Sequence, residues 1–153
     1  MFLNIEGPLL SNAAQCKPII DSLPDYFGTP EITNYLLEDI ESLPMFIASE
    51  DNEQVGFLSI KSINRFTAEI FLMAVRSDRL RNSVGKVLIT TAEEFLKKQG
   101  IEYLEVKTLG PKNPDANFKR ARAFYLKMGF RPLDELPKFW DDDNSILAMV
   151  KKL

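Results

Sequence analysis

Residues 67–100 read TAEIFLMAV (67–75), RSDRLRNSVGK (76–86) and VLITTAEEFLKKQG (87–100), and this stretch decides the fold. From Ile70 to Val75 the chain is apolar without a polar break, the pattern of a strand covered on both faces rather than one. From Val84 the apolar residues recur at helical spacing through Val87, Leu88, Thr91, Ala92, Phe95 and Leu96. Lys97 and Lys98 fill the last turn, and Gly100 follows, as at the end of a core-facing helix. Between them lies a loop with Arg76, Arg79, Arg81 and Lys86. A strand feeding a helix through a basic loop aims unpaired N–H groups and the positive end of a helix dipole at one spot, which suits a phosphate or pyrophosphate. The same residues also make an ordinary solvated turn, and several families use the device.

Composition narrows the field. The chain has 153 residues, 45% hydrophobic and 27% charged, as expected of one domain over 1–153 with its own core. A net charge of −3 speaks against a dedicated nucleic-acid binder. With no histidine and one cysteine, Cys16, a zinc site and a Ser-His-Asp or Cys-His arrangement are not expected, so no metal is assigned. Cys16 reads as a small buried hydrophobe and fits a reducing cytoplasm. No signal peptide or apolar run of membrane-spanning length is visible, so no membrane partner is expected.

Outward from residues 67–100, a first strand Phe2–Ile5 is expected to stop at Gly7-Pro8. A helix capped by Ser11 runs to about Leu23 with Pro18 as an irregularity, then a turn-rich break carries Tyr26 and Phe27. A second helix is capped by Thr29 with Pro30 at its first position and reaches about Glu41. Strands follow at Met45–Ser49 and Val55–Ile63, with a turn at Asp51-Asn52-Glu53. Beyond Gly100 come a strand Ile101–Thr108, a helix from the cap Asp115 to about Met128 closed by Gly129, a strand from Phe130, and a last strand Ser145–Val150. The connection Asp134–Asn144 holds Asp134, Glu135, Asp141, Asp142 and Asp143 with Phe139 and Trp140. Such a charge run is either a solvated surface or a negative mouth for a cation.

The stretch resembles the central motif of the GNAT N-acetyltransferases, in which Arg/Gln-x-x-Gly-x-Gly/Ala joins a strand to a helix. The window here is Leu80-Arg81-Asn82-Ser83-Val84-Gly85, and only the last glycine agrees. Leu80 stands where the family has Arg or Gln, and Ser83 where it has its first glycine. Ser83 is expected to act as the helix cap, and Arg79 and Arg81 to supply charge. Ala121-Arg122-Ala123-Phe124-Tyr125-Leu126-Lys127-Met128-Gly129-Phe130 resembles the second signature, Ala-x-x-x-Tyr-x-x-x-Gly-Phe. The resemblance implies a mixed α/β fold of GNAT type: a mostly antiparallel central sheet with splayed central strands, flanked by helices. It implies acetyl-CoA as cosubstrate, held by Met73, Val75, Arg81, Asn82, Ser83, Val84, Gly85 and Lys86. Met73 and Val75 would act through the main chain. Phe118 occupies the place where many members carry asparagine, with Asn117 one residue off.

Acetyl transfer to an amine requires loss of the ammonium proton, polarisation of the thioester carbonyl and stabilisation of the thiolate. Glu69 is the one charge at the edge of an apolar strand, and the resemblance places it where some members carry a general base. It also reads as a strand-end carboxylate paired with a neighbouring strand. Tyr125 lies on a helical stripe with Ala121, Phe124 and Met128, as a core aromatic would. The resemblance makes it the general acid at sulfur. The expected activity is direct transfer, in a ternary complex, to a small-molecule or protein amine, with the acidic connection and Tyr26-Phe27 bordering the acceptor groove. Two rivals remain: a GNAT-fold acyl-CoA-binding sensor or interaction module without catalysis, and an unrelated phosphate-binding α/β domain. A homodimer is left open.

Overall fold

The computed structural model describes residues 3–27, 29–80, 83–113, 115–136 and 145–153. Strand β1 (Leu3–Leu9) is followed by a 3₁₀ turn, Ala13–Cys16, and three helices: α1 (Lys17–Asp21), α2 (Pro24–Phe27) and α3 (Pro30–Glu41). Then come β2 (Met45–Glu50), β3 (Glu53–Ser62), β4 (Thr67–Val75), a 3₁₀ turn at Ser77–Arg79, and α4 (Val84–Lys98). The chain closes with β5 (Tyr103–Leu109), α5 (Ala116–Lys127), β6 (Arg131–Leu136) and β7 (Ile146–Lys152). The strands follow the order β1-β2-β3-β4-β5-β7-β6 in one mostly antiparallel, seven-stranded sheet of a mixed α/β fold. The chain divides into two compact units, Met1–Lys61 with Phe71–Gln99, and Ser62–Ile70 with Gly100–Leu153.

In the first unit both faces of β2 are covered. Met45 and Ile47 join Cys16, Ile19, Ile40 and Phe57 in one core. On the opposite face Phe46 meets Phe95 of α4 edge to face at 5.7 Å. Gly56 lets α4 come close to β3, since a Cβ there would lie 2.9 Å from Val84 Cγ1 and 3.3 Å from the Ala74 carbonyl oxygen. Thr29 caps α3 as expected, its hydroxyl accepting from Ile32 N–H at 3.4 Å. In the second unit β4 pairs in parallel with β5 from Thr67↔Tyr103 to Ile70↔Val106, and β5 runs on against β7 to Leu109↔Ile146. Phe130, Leu104 and Met149 are fully buried there. Asp115 caps α5, accepting from Asn117 N–H at 2.8 Å, and Gly129 follows it with φ +99°.

Four expectations change. The first strand continues through Gly7-Pro8, a cis bond, because β1 lies at the sheet edge, where proline costs no ladder bond; its register shifts between Glu6 and Leu9. The expected helix from Ser11 is broken into the 3₁₀ turn and α1. Pro18 at the start of α1 has no N–H to continue a helix from upstream, and Ser11 sits at φ +58° and caps nothing. Phe71, Leu72 and Met73 are half-buried, so the central strand is not covered throughout. Asp134 and Glu135 belong to strand β6 rather than to a connection, because β6 pairs with β7 as far as Leu136↔Ile146. Phe139, Trp140, Asp141, Asp142 and Asp143 lie outside the described residues.

Candidate functional site

The junction of β4 and α4 is built from the backbone outward. The first intrahelical bond of α4 runs from Val87 N–H to the Ser83 carbonyl at 3.1 Å, and the Ser83 side chain makes no capping bond. The N–H groups of Val84, Gly85 and Lys86 therefore stand at the positive end of a four-turn helix whose cap residue leaves its side chain unused. Ser83 corrects the expectation: it stands at the cap position but at φ 63°, ψ 12°, with its hydroxyl unused as a cap. A capping serine adopts an extended backbone. The left-handed conformation here is the one glycine takes freely, and Ser83 occupies the place of the family's first glycine. Lys86 is exposed on the first turn. Arg81 and Asn82 lie outside the described residues.

Of the arginines before the helix, Arg76 and Arg79 are engaged within the chain, where Arg79 was expected to supply free charge. Arg79 Nε donates to Glu50 Oε2 at 2.8 Å, and its Nη1 lies 3.2 Å from Asp78 Oδ2. Arg76 reaches Asp78 at 2.7 Å and Glu53 at 3.1 Å. The hydrogen bond from Arg76 is the main cause holding the Asp78 carboxyl below its ordinary range. Phe27, expected at a groove, packs against the core around Cys16.

In the other unit Glu69 is 6% exposed and faces β5. Lys107 Nζ lies 3.1 Å from Glu69 Oε2 and 3.3 Å from Glu105 Oε1. Parallel register explains the cluster: Glu69 sits opposite Glu105, and Lys107, two residues on, points to the same side. Burial lowers the Lys107 pKa, but the hydrogen bond and charge of Glu69, then those of Glu105, outweigh it and the net shift is upward. Glu69 thus has the cross-strand partner that one of its two readings required. The signal for Lys107 was present in Glu105-Val106-Lys107, whose alternation puts both charges on one strand face. It became decisive only with the β4–β5 register.

Tyr125 is 8% exposed, with its ring edge to face with Phe124 at 5.4 Å and Phe130 at 5.6 Å. Arg122, one turn earlier, donates to the Leu109 and Gly110 carbonyls at 2.8 and 3.1 Å, fixing α5 against the end of β5. Met73 is half-buried and Val75 buried, both on the strand face that Glu69 shares by alternation. Among the described residues no group of three or more His, Cys, Asp or Glu side chains is placed to hold a metal, and no helix is long and apolar enough to cross a membrane.

Residues 16–130 match the model of the acetyltransferase (GNAT) family, and the chain belongs to that family. It is 27% identical over 131 residues to an uncharacterised N-acetyltransferase of Methanocaldococcus jannaschii, covering 82% of this chain and 78% of that one. It is 30% identical over 105 residues to the spermidine N(1)-acetyltransferase of Thermoplasma acidophilum, covering 69% of this chain and 56% of the relative. A GNAT-family protein of Desulfovibrio desulfuricans has the same fold, with TM-score 0.82, 18% identity and 99% of both chains covered. So does the PaiA N-acetyltransferase of Thermoplasma acidophilum, solved in complex with coenzyme A: TM-score 0.73, 19% identity, both chains covered fully.

Proposed function

We propose that this chain, acting as one domain over 1–153, transfers an acetyl group from acetyl-CoA to a primary amine directly, within a ternary complex. The observation that carries the reading is the start of α4 at the family's motif, which the Ser83 side chain leaves uncapped. N–H groups of Val84, Gly85 and Lys86, with the Lys86 ammonium, suit a pyrophosphate. Main-chain N–H groups of β4 near Met73 and Val75 would polarise the thioester carbonyl. Glu69 takes the ammonium proton directly or through water, the amine nitrogen bonds to the carbonyl carbon, and the carbon–sulfur bond then breaks. Tyr125 gives its proton to the departing thiolate and regains one, through water, as the nitrogen sheds its second proton. Cys16 supports a route without an acyl-enzyme: burial, then the charge of Glu41, pushes its thiol up to about 12, so no thiolate forms near neutral pH. The spermidine-acetylating relative and the negative charge of the chain favour a cationic acceptor. The single buried cysteine fits a cytoplasmic setting.

A second reading, an acyl-CoA-binding module without catalysis, is favoured by one observation: the Glu69 carboxylate is already engaged by Lys107. Melting with acetyl-CoA and thiol release with an amine panel separate the two. At 100 times its dissociation constant, acetyl-CoA should add about 2.7 kcal/mol of stability, and amines should release thiol. Stabilisation without thiol release selects the module. An unchanged Tm at millimolar acetyl-CoA contradicts both.

A further inference from the structure

Glu50 closes β2 and Glu53 opens β3, and the two are direct partners across the hairpin. Asp51 and Asn52 join them, both at positive φ, as a two-residue hairpin turn requires. Two like charges facing each other destabilise a hairpin unless cations answer them. The cations come from the loop after β4: Arg79 Nε to Glu50 at 2.8 Å and Arg76 Nη1 to Glu53 at 3.1 Å. Asp78 sits between the two arginines and binds both, and Arg76 N–H donates to the Val55 carbonyl at 2.7 Å. Glu50 is 8% exposed, too deep for an unpaired carboxylate, and no chemical step above uses it.

We propose that Glu50, acting through Arg79, is a positioning residue for the acetyl-CoA loop, and that Arg79 is an internal anchor rather than a phosphate ligand. The loop lacks the family's arginine or glutamine, at Leu80, and its first glycine, at Ser83. Its described ends are tied from outside instead. The Glu50–Arg79 pair ties its start to the β2–β3 hairpin, and the close approach of Val84 and Leu88 to Gly56 ties its end to β3. A guanidinium held by two carboxylates has lost its rotational freedom before any ligand arrives, so ordering the loop costs the cofactor less. The proposal rests on the reading that acetyl-CoA binds here.

The test is acetyl-CoA titration calorimetry and steady-state kinetics on the full chain and on Glu50→Gln, Arg79→Gln, their double variant and Arg79→Lys. Each glutamine variant should raise Kd and KM for acetyl-CoA about tenfold while kcat stays within about twofold, a loss of binding rather than of chemistry. The double variant should be no worse than either single one, because both remove one interaction. Arg79→Lys keeps the charge but not the fork and should fall between wild type and Arg79→Gln, which keeps the proposal testable should Glu50→Gln not fold. Unchanged Kd in Glu50→Gln with only a lower Tm, or in Arg79→Lys, overturns the clamp. So does Arg79→Gln weakening binding while Glu50→Gln does not, which would make Arg79 a direct ligand. Wild type that fails to bind acetyl-CoA overturns the clamp and the cofactor reading together; wild type that binds beside unaffected variants overturns the clamp alone.

Discussion

Glu50 and Glu69 are buried almost equally, 8% and 6% exposed, one in each unit, and among the described residues each is met by one cation. The partners differ. Arg79 is bound to Glu50 and again to Asp78, by its carboxylate and its carbonyl. Lys107 has a side chain 44% exposed and divides itself between Glu69 and Glu105. A guanidinium fork is pre-organised and stays; an ammonium on a four-carbon stem swings into water at small cost. Equal burial therefore gives a fixed anchor at Glu50 and an exchangeable one at Glu69. On the proposed function, a primary ammonium substrate would carry the same group that Lys107 places there and would compete with it for Glu69.

The largest effect should come from Tyr125, which lies in the same unit as the exchangeable pair. Tyr125→Phe should lower kcat about 10²-fold or more and leave KM for acetyl-CoA within a few-fold, as loss of a general acid does. Full turnover with a lower Tm would instead make Tyr125 a core aromatic beside Phe124 and Phe130.

The comparison itself is tested by stability. Arg79→Met leaves Glu50 buried and unanswered and should cost about 2 kcal/mol in urea unfolding; Lys107→Met should cost about 1 kcal/mol or less, given the solvent around that ammonium. Equal losses would mean that the two pairs are alike. Because the folded-state pKa of Lys107 is raised, its contribution is whole below the unfolded lysine value of ~10.4 and is lost as pH rises through the folded one. The gap between wild type and Lys107→Met should therefore be constant near neutrality and close only in strong alkali.

A smaller effect is expected at Ser83. Glycine there relieves a left-handed serine that makes no capping bond, so Ser83→Gly should stabilise by about 1 kcal/mol. A loss of stability would show that the serine hydroxyl has a partner this account does not give it.

Most of the fold was legible because the residues that set it act locally. Thr29-Pro30, Asp115 and Gly129 mark helix ends through their own backbone chemistry. The misreadings share a different cause. Pro8 is tolerated inside β1 because the strand is an edge, a fact of sheet order rather than of neighbouring residues. Glu135 reads as loop acid until β7 pairs with β6. The places of Glu69 in a strand, of Tyr125 in a helix and of the α4 start were legible in the sequence. The partners of Glu69 and Arg79 were not, because Lys107 and Glu50 are 38 and 29 residues away and meet them only through strand register and loop packing. Ser83 was misread as a cap since its residue type, not its backbone angle, is what a sequence displays.

The most direct test of Glu69 as an exchangeable base is kcat/KM with one amine between pH 6 and 10 for wild type and Glu69→Gln. Glutamine keeps the shape but takes no proton. The variant should fold and bind acetyl-CoA normally, lose turnover at neutral pH, and regain part of the loss toward ~10, where the amine deprotonates unaided. Two curves of the same shape, differing less than about threefold in height, an effect smaller than loss of a general base produces, would contradict the account and leave Glu69 as a structural partner of Lys107.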